Sequence, residues 1–205
     1  MLSLTDTPLS AIKFDDRIYQ INLAFDNVIK YLELVEDDSE NKELEALKLF
    51  FGDQEIPLDP DFIESSFKLI NETITKSAYQ GNSSKDWSMN IAPQHIYSYE
   101  QDADAIYSSF MMQYHIDLLK ERGKMHWCVF RALFDGLSED TPIQRIIELK
   151  QKYLTDVPDE QRGKVMQLQQ YYALKLKKPK TEEDVFNNSS LSSAFASLMN
   201  TAKGG

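Results

Sequence analysis

The chain has 205 residues, 42% hydrophobic and 27% charged, with seven glycines and seven prolines. This is the balance of a globular chain and excludes collagen-like and low-complexity readings. Net charge is −11, from 33 acidic and 22 basic side chains, which argues against nucleic acid as the main partner because the phosphate backbone favours Lys and Arg.

The N-terminal stretch reads as a β-hairpin. Ile12 and Phe14 alternate with polar residues, as do Tyr19, Ile21 and Leu23, and Asp15-Asp16 stands between the two runs as turn chemistry. A lone hairpin is marginal in water, so this one must pack on a neighbour. From Phe25 the apolar period changes to about 3.6, with Phe25, Val28, Ile29, Leu32 and Val35 on one helical face. The acidic run Glu36-Asp37-Asp38-Ser39-Glu40 breaks it. A second helix carries Leu44, Leu47 and Phe51 on one side, and Gly52 stops it. Asp59-Pro60 opens a third, with Asp as the N-cap and Pro at the first helical position. Its stripe is Phe62, Ile63, Phe67, Ile70 and Ile74.

Residues 80–94 have no period and read as a loop or linker. Beyond it, Ala103, Ile106, Tyr107, Phe110 and Tyr114 stripe one helix, and Ile116 to Leu119 leads to a stop at Gly123. Trp127, Phe130, Phe134 and Leu137 stripe the next, ended near Gly136. Thr141-Pro142 starts another, with Ile143, Ile146, Ile147 and Leu154 on its face. Asp156-Val157-Pro158 leads into a last helix on which Val165, Leu168, Tyr172 and Leu176 align. The regularity of these stripes predicts that the helices of 100–177 are the best-packed part. After Pro179 the composition turns polar and reads as a flexible tail. Within it Leu191, Phe195, Leu198 and Met199 keep the i, i+4, i+7, i+8 spacing of a helix that docks into a groove, and they are the candidate protein-binding residues.

The expected fold is mainly α, of the α+β kind, with a small N-terminal β-hairpin and a flexible C-terminal tail. The domain plan is 1–79 hairpin plus helices, 80–94 loop or linker, 95–178 helical core domain and 179–205 flexible tail. Charge is uneven along it. Residues 1–61 hold fifteen acidic and five basic side chains, and residues 150–180 hold eight basic and three acidic. This asymmetry permits steering of a charged partner or head-to-tail self-association.

Residues that could carry chemistry are few. Cys128 is the one cysteine, so no intrachain disulfide forms. His126 and Cys128 stand close in sequence, but on a helix they would point about 200° apart. His95, His115 and His126 with one cysteine lack the spacing of a zinc site. The acidic cluster at 36–43 lacks the glycine of a calcium loop. Asp102 and Asp104, two apart at a helix start, are explained by the helix dipole. No Gly-rich phosphate loop, nucleophile elbow or His-Glu-x-x-His pair occurs. The expectation is no catalytic, cofactor-binding or metal-ligating residue, and so no enzyme. No run approaches the ~20 apolar residues of a membrane span, and residues 1–6 lack a signal-peptide pattern. A soluble protein that stays where it is made is expected.

The block from Tyr99 to Leu149 carries a set of short motifs. They are Glu100-x-Asp102-Ala103, Ile106-Tyr107-x-x-Phe110, Gln113-Tyr114-x-Ile116-Asp117-Leu118, Met125-His126-Trp127-x-x-Phe130-x-x-Leu133-Phe134 and Leu137-x-Glu139-Asp140-Thr141. With the passage Asp16-x-x-Tyr19-x-Ile21-Asn22-Leu23-x-Phe25-Asp26, they make most of residues 1–155 resemble the bacteriophage gene-product-fifteen family. One departure is His115, which stands where the family pattern has Gly before Ile-Asp; a non-Gly residue there puts a positive backbone angle in doubt or strains it.

The resemblance implies a tail-module protein of phages and prophages of Gram-positive bacteria, encoded between the major tail protein and the tape measure. That place is typical of tail assembly chaperones, which bind the tape-measure protein while the tail tube polymerises round it. The implied partners are the tape-measure protein, the tail tube protein and further copies of this chain, with no nucleic acid and no membrane. The implied location is the host bacterial cytoplasm. Two alternatives stay open: a virion component of the neck, tail or baseplate, and an acidic inhibitor of a host nucleic-acid-binding protein.

Overall fold

The computed structural model describes residues 2–36, 42–75 and 96–174. They hold a two-stranded antiparallel sheet, β1 (Ala11–Phe14) and β2 (Arg17–Gln20), and seven α-helices: α1 (Phe25–Glu36), α2 (Lys42–Phe51), α3 (Pro60–Thr75), α4 (Ala103–Tyr114), α5 (Trp127–Asp135), α6 (Pro142–Gln151) and α7 (Asp159–Tyr172). The fold is therefore mainly helical with a small N-terminal hairpin. The loop expected at 80–94 and the tail of 179–205 lie outside the described residues.

The described residues divide into two compact units. The first contains residues 2–75 together with 122–131, and the second contains 96–121 and 132–174. Residues 122–131, which fall inside the span 95–178 of the domain plan, pack with the first unit. Trp127 N–H donates to Leu23 O at 2.8 Å, Phe25 N–H donates to Met125 O at 2.9 Å, and Ala24 bridges His126. The Phe25 and Phe130 rings stack at 4.9 Å. A backbone pairing across about 100 residues of chain leaves no local periodic trace.

In the first unit the hairpin turn Asp15-Asp16 has φ of 44° and 58°. Two consecutive positive angles match the right-handed twist of the strands, and Asp tolerates them. The register pairs Ile12 with Tyr19 on the buried face and leaves Ile18, opposite Lys13, exposed. Phe62, at the start of α3, is fully buried and receives the rings of Phe14, Tyr19 and Phe51 at 5.2, 4.9 and 5.6 Å. That aromatic cluster is the neighbour the hairpin needs.

The start of α3 is held as its sequence indicates: Asp59 Oδ1 accepts from Asp61 N–H at 2.8 Å and from Phe62 N–H at 3.4 Å. At its other end, Trp127 Nε1–H and the Arg131 guanidinium both donate to Ile74 O, at 3.2 and 2.7 Å. Two donors, one cationic, satisfy a terminal carbonyl and complement the helix dipole. Gly52, at φ 61°, ends α2. The buried face of α2 is Glu43, Ala46, Leu47, Phe50 and Phe51. Leu44, expected on that face, is 52% exposed, because the centre of the buried arc lies about a quarter-turn away from it.

In the second unit α4 packs on α6. Thr141 occupies the N-cap position of α6, but its hydroxyl donates to Ser138 O at 2.6 Å instead of capping its own helix. The free N–H of Ile143 is taken by Ser109 Oγ of α4 at 3.0 Å, and Ser109 in turn donates to Ala105 O. One buried hydroxyl thus fixes how the two helices meet. Tyr114 OH donates to Leu133 O at 2.9 Å, and the Gln113 amide holds both Gly136 O and Ser138 N–H.

The expectation that 100–177 form the best-packed part is not met. Among the described residues, 2–75 hold more of the buried apolar side chains, including Leu23, Val28, Phe50, Phe62 and Ile70, than 100–174 do, and α7 buries none. Polar side chains hold α7: Arg162 Nε–H reaches Leu154 O and Val157 O, and Gln169 Nε2 reaches Leu149 O and Lys152 O at 2.9 and 2.8 Å. Leu168 of the expected stripe is exposed, and Leu154 lies in a 3-10 turn beyond α6.

Candidate functional site

The candidate binding residues Leu191, Phe195, Leu198 and Met199 lie outside the described residues. Three other features of the described chain carry polar chemistry or open apolar surface.

The first is the His126–Cys128 pair. The two side chains do not point apart, because His126 precedes α5 instead of belonging to it. Its ring folds back over the helix start, and Nδ1 lies 3.0 Å from Cys128 Sγ and 3.2 Å from Cys128 N. Nε2 lies 3.1 Å from Leu9 O. A carbonyl can only accept, so Nε2 carries the proton and Nδ1 accepts from both the thiol and the amide of Cys128. Burial holds the imidazole below its ordinary pKa, against the Leu9 hydrogen bond that works the other way. Burial also pushes the thiol up. Both groups are therefore neutral near pH 7, and a buried thiol kept protonated is the reverse of an activated nucleophile. The imidazole acts as an N-cap, a role usually filled by Ser, Thr, Asp or Asn.

The second is Asp102. Its carboxylate does not cap α4. It accepts from Ser98 N–H at 3.0 Å and from Lys150 Nζ of α6 at 3.0 and 3.3 Å, with the lysine and aspartate side chains 10% and 4% exposed. Asp104 is exposed, so the two carboxylates do not form an acid–base pair. Among the described residues no three His, Cys, Asp or Glu side chains come together as a metal-binding group, and no helix is long and apolar enough to cross a membrane.

The third is apolar surface left uncovered. From Ala105 to Ile116 the chain bears no Asp, Glu, Lys or Arg. Helix α4 buries Ile106, Ser109 and Phe110 on one face and exposes Met111 and Met112 on another, at 38% and 56%. His115 ends it with φ 57° and ψ 29°, its N–H bonded to Met111 O at 3.2 Å. The positive angle expected of Gly is thus adopted by His. In the first unit an open groove of about 390 Å³ runs between α1 and α2, lined by Lys30, Leu34, Glu45, Lys48 and Leu49. Sequence reading missed this groove. The signal for it was weak: Leu34 and Leu49 fall off the main stripes, and their neighbours Lys30 and Lys48 are basic in an acidic region.

No curated protein and no solved structure matches this chain. A family model described as bacteriophage Gp15 protein matches residues 4–174. That span takes in the hairpin, all seven helices and the motifs of residues 16–26 and 99–149. The chain belongs to the bacteriophage Gp15 protein family, whose membership marks it as a phage structural or morphogenesis protein.

Proposed function

We propose that this protein is a tail assembly chaperone that holds the tape-measure protein in solution while the tail tube forms, working by binding and without catalysis. The observation that carries this reading is α4. A helix with a buried apolar face and no charged side chain after Asp104 offers more apolar surface than a solvated helix needs, and its Met111 and Met112 are open. Methionine is unbranched and polarizable and adapts to irregular apolar surfaces, which suits a holder of a long apolar-striped helix. The neutral His126–Cys128 cap and the buried Asp102–Lys150 pair serve packing in this reading, so no cofactor or metal is required. Net charge −11 keeps a loaded complex soluble. The acidic surface disfavours nucleic acid and anionic membrane. The site of action is the host cytoplasm, and copies of the chain and the tube protein are further partners.

The test is co-expression with a tape-measure fragment, with the full chain and with residues 179–205 removed. The fragment should be soluble with the full chain and insoluble alone. Truncation asks whether Leu191, Phe195, Leu198 and Met199 contribute. Met111→Lys/Met112→Lys should return the fragment to the pellet. A fragment equally insoluble with and without the full chain, together with stoichiometric presence of this chain in purified virions, would replace the chaperone reading with that of a structural component.

A further inference from the structure

We propose that the groove between α1 and α2 is a docking site for an amphipathic helix bearing carboxylates beside its apolar row. The two helices run antiparallel, since Asn27 near the start of α1 donates through Nδ2 to Leu49 O near the end of α2 at 3.0 Å. Between them Leu34 and Leu49 are half-buried and line the groove, while Lys30, Lys48 and Glu45 are exposed around it. A volume of about 390 Å³ takes one or two large apolar side chains and leaves the rest of a helix on the rim.

Charge identifies the occupant. Residues 1–61 hold fifteen acidic side chains and only five basic ones, and two of those five, Lys30 and Lys48, stand on this one groove. Neither makes an ion pair among the described residues, whereas Lys13 is paired with Asp16. Lys30 and Leu34 are four apart on α1, as are Glu45 and Leu49 on α2. A partner helix with an apolar anchor and carboxylates three or four positions from it would seat the anchor on Leu34 and Leu49 and meet both ammonium groups. The exposed Leu44, four residues before Lys48 on the surface of α2, carries apolar surface past that lysine. A helix with basic flanks would meet two like charges and one carboxylate among the described lining residues, so this lining discriminates by sign as well as by fit.

This inference rests on the chaperone reading only for the identity of the natural occupant. The binding test uses the full chain and two fluorescein-labelled helical peptides of twenty residues. They share one leucine row, flanked by Glu in one and by Lys in the other. In fluorescence anisotropy at low salt the Glu-flanked peptide should bind at least tenfold more tightly than the Lys-flanked one. Lys30→Glu/Lys48→Glu should weaken it tenfold or more and admit the Lys-flanked peptide. Lys68→Glu, on the exposed side of α3, should change nothing. Circular dichroism confirms that each variant is folded, and Lys30→Gln/Lys48→Gln serves if charge reversal lowers the melting temperature. Equal binding of both peptides, or no effect of reversal, overturns the proposal. So does exclusion of both peptides together with a dimer that becomes monomeric on reversal, since the occupant is then a second copy. Peptide binding without tape-measure solubility retains the groove and removes the chaperone reading. Solubility that survives Lys30→Glu/Lys48→Glu while peptide binding is lost retains both, and shows that the groove takes a helix other than the tape measure's.

Discussion

Lys150→Met tests how the second unit is held together. Lys150 Nζ reaches both carboxylate oxygens of Asp102, at 3.0 and 3.3 Å, and the two side chains are only 10% and 4% exposed. Methionine keeps most of the length and apolar stem of lysine but removes the charge. Asp102 is then left as a buried carboxylate that still accepts from Ser98 N–H but has lost its cation. Removing one partner of a buried pair costs about 3–5 kcal/mol, chiefly because the other charge stays out of water. The second unit buries few apolar side chains to offset such a loss. With a urea m-value of about 1–3 kcal/mol/M, the transition of this unit should move down by roughly 1 M or more. Hydrogen exchange read by mass spectrometry localises the effect, and the amides of α4 and α6 should lose protection before those of α3. The double variant Asp102→Asn/Lys150→Met should recover much of the loss, since replacing a whole buried pair is often nearly neutral. A Lys150→Met midpoint within about 0.2 M of wild type (about 0.2–0.6 kcal/mol at that slope) would refute the reasoning. It would mean that water reaches the carboxylate.

Single side chains give three further expected outcomes. Ser66 Oγ is buried in α3 without a hydrogen-bond partner among the described residues; Ser66→Ala removes that desolvation cost and should raise stability by about 1 kcal/mol, and a loss of that size in thermal unfolding would show that the hydroxyl is bonded. His115→Gly should hold stability or raise it by up to about 1 kcal/mol, whereas the β-branched His115→Val should lower it, because the position requires φ near 57°; equal melting temperatures for the two variants would contradict this. Burial holds His126 below the ordinary imidazole value of 6.5, so as pH falls through about 6.5 the unfolded chain takes up the proton first. The stability from the neutral cap is present above that pH and is lost toward the folded-state value. His126→Asn keeps a neutral cap and should flatten the dependence of the urea midpoint between about pH 8 and 5; identical slopes in the two proteins would show that the imidazole is not the titrating group.

Much of the secondary structure was legible because its causes are local. The hairpin follows from alternation around Asp15-Asp16, the start of α3 from Asp59-Pro60, the end of α2 from Gly52, and the core face of α3 from Phe62, Ile63, Phe67, Ile70 and Ile74, all of which are buried. Each depends on the conformational preference of one residue or on apolar spacing within a few turns. The family motifs were legible in the same way, as short strings.

Tertiary structure decided what depends on residues far apart in the chain. The residues 122–131 join the first unit through backbone bonds to 23–25. Ser109 caps α6 from α4, 34 positions away. Asp102, which a helix dipole alone would explain, is committed to Lys150, 48 positions away. His126 and Cys128 meet because the helix begins one residue later than a continuous helical projection assumes. Periodicity indicates which face of a helix is apolar, but it does not say whether a second element arrives to cover that face. That is why Leu44, Met111 and Met112 remain open and why the groove beside Lys30 and Lys48 came into view only when α1 and α2 were set side by side.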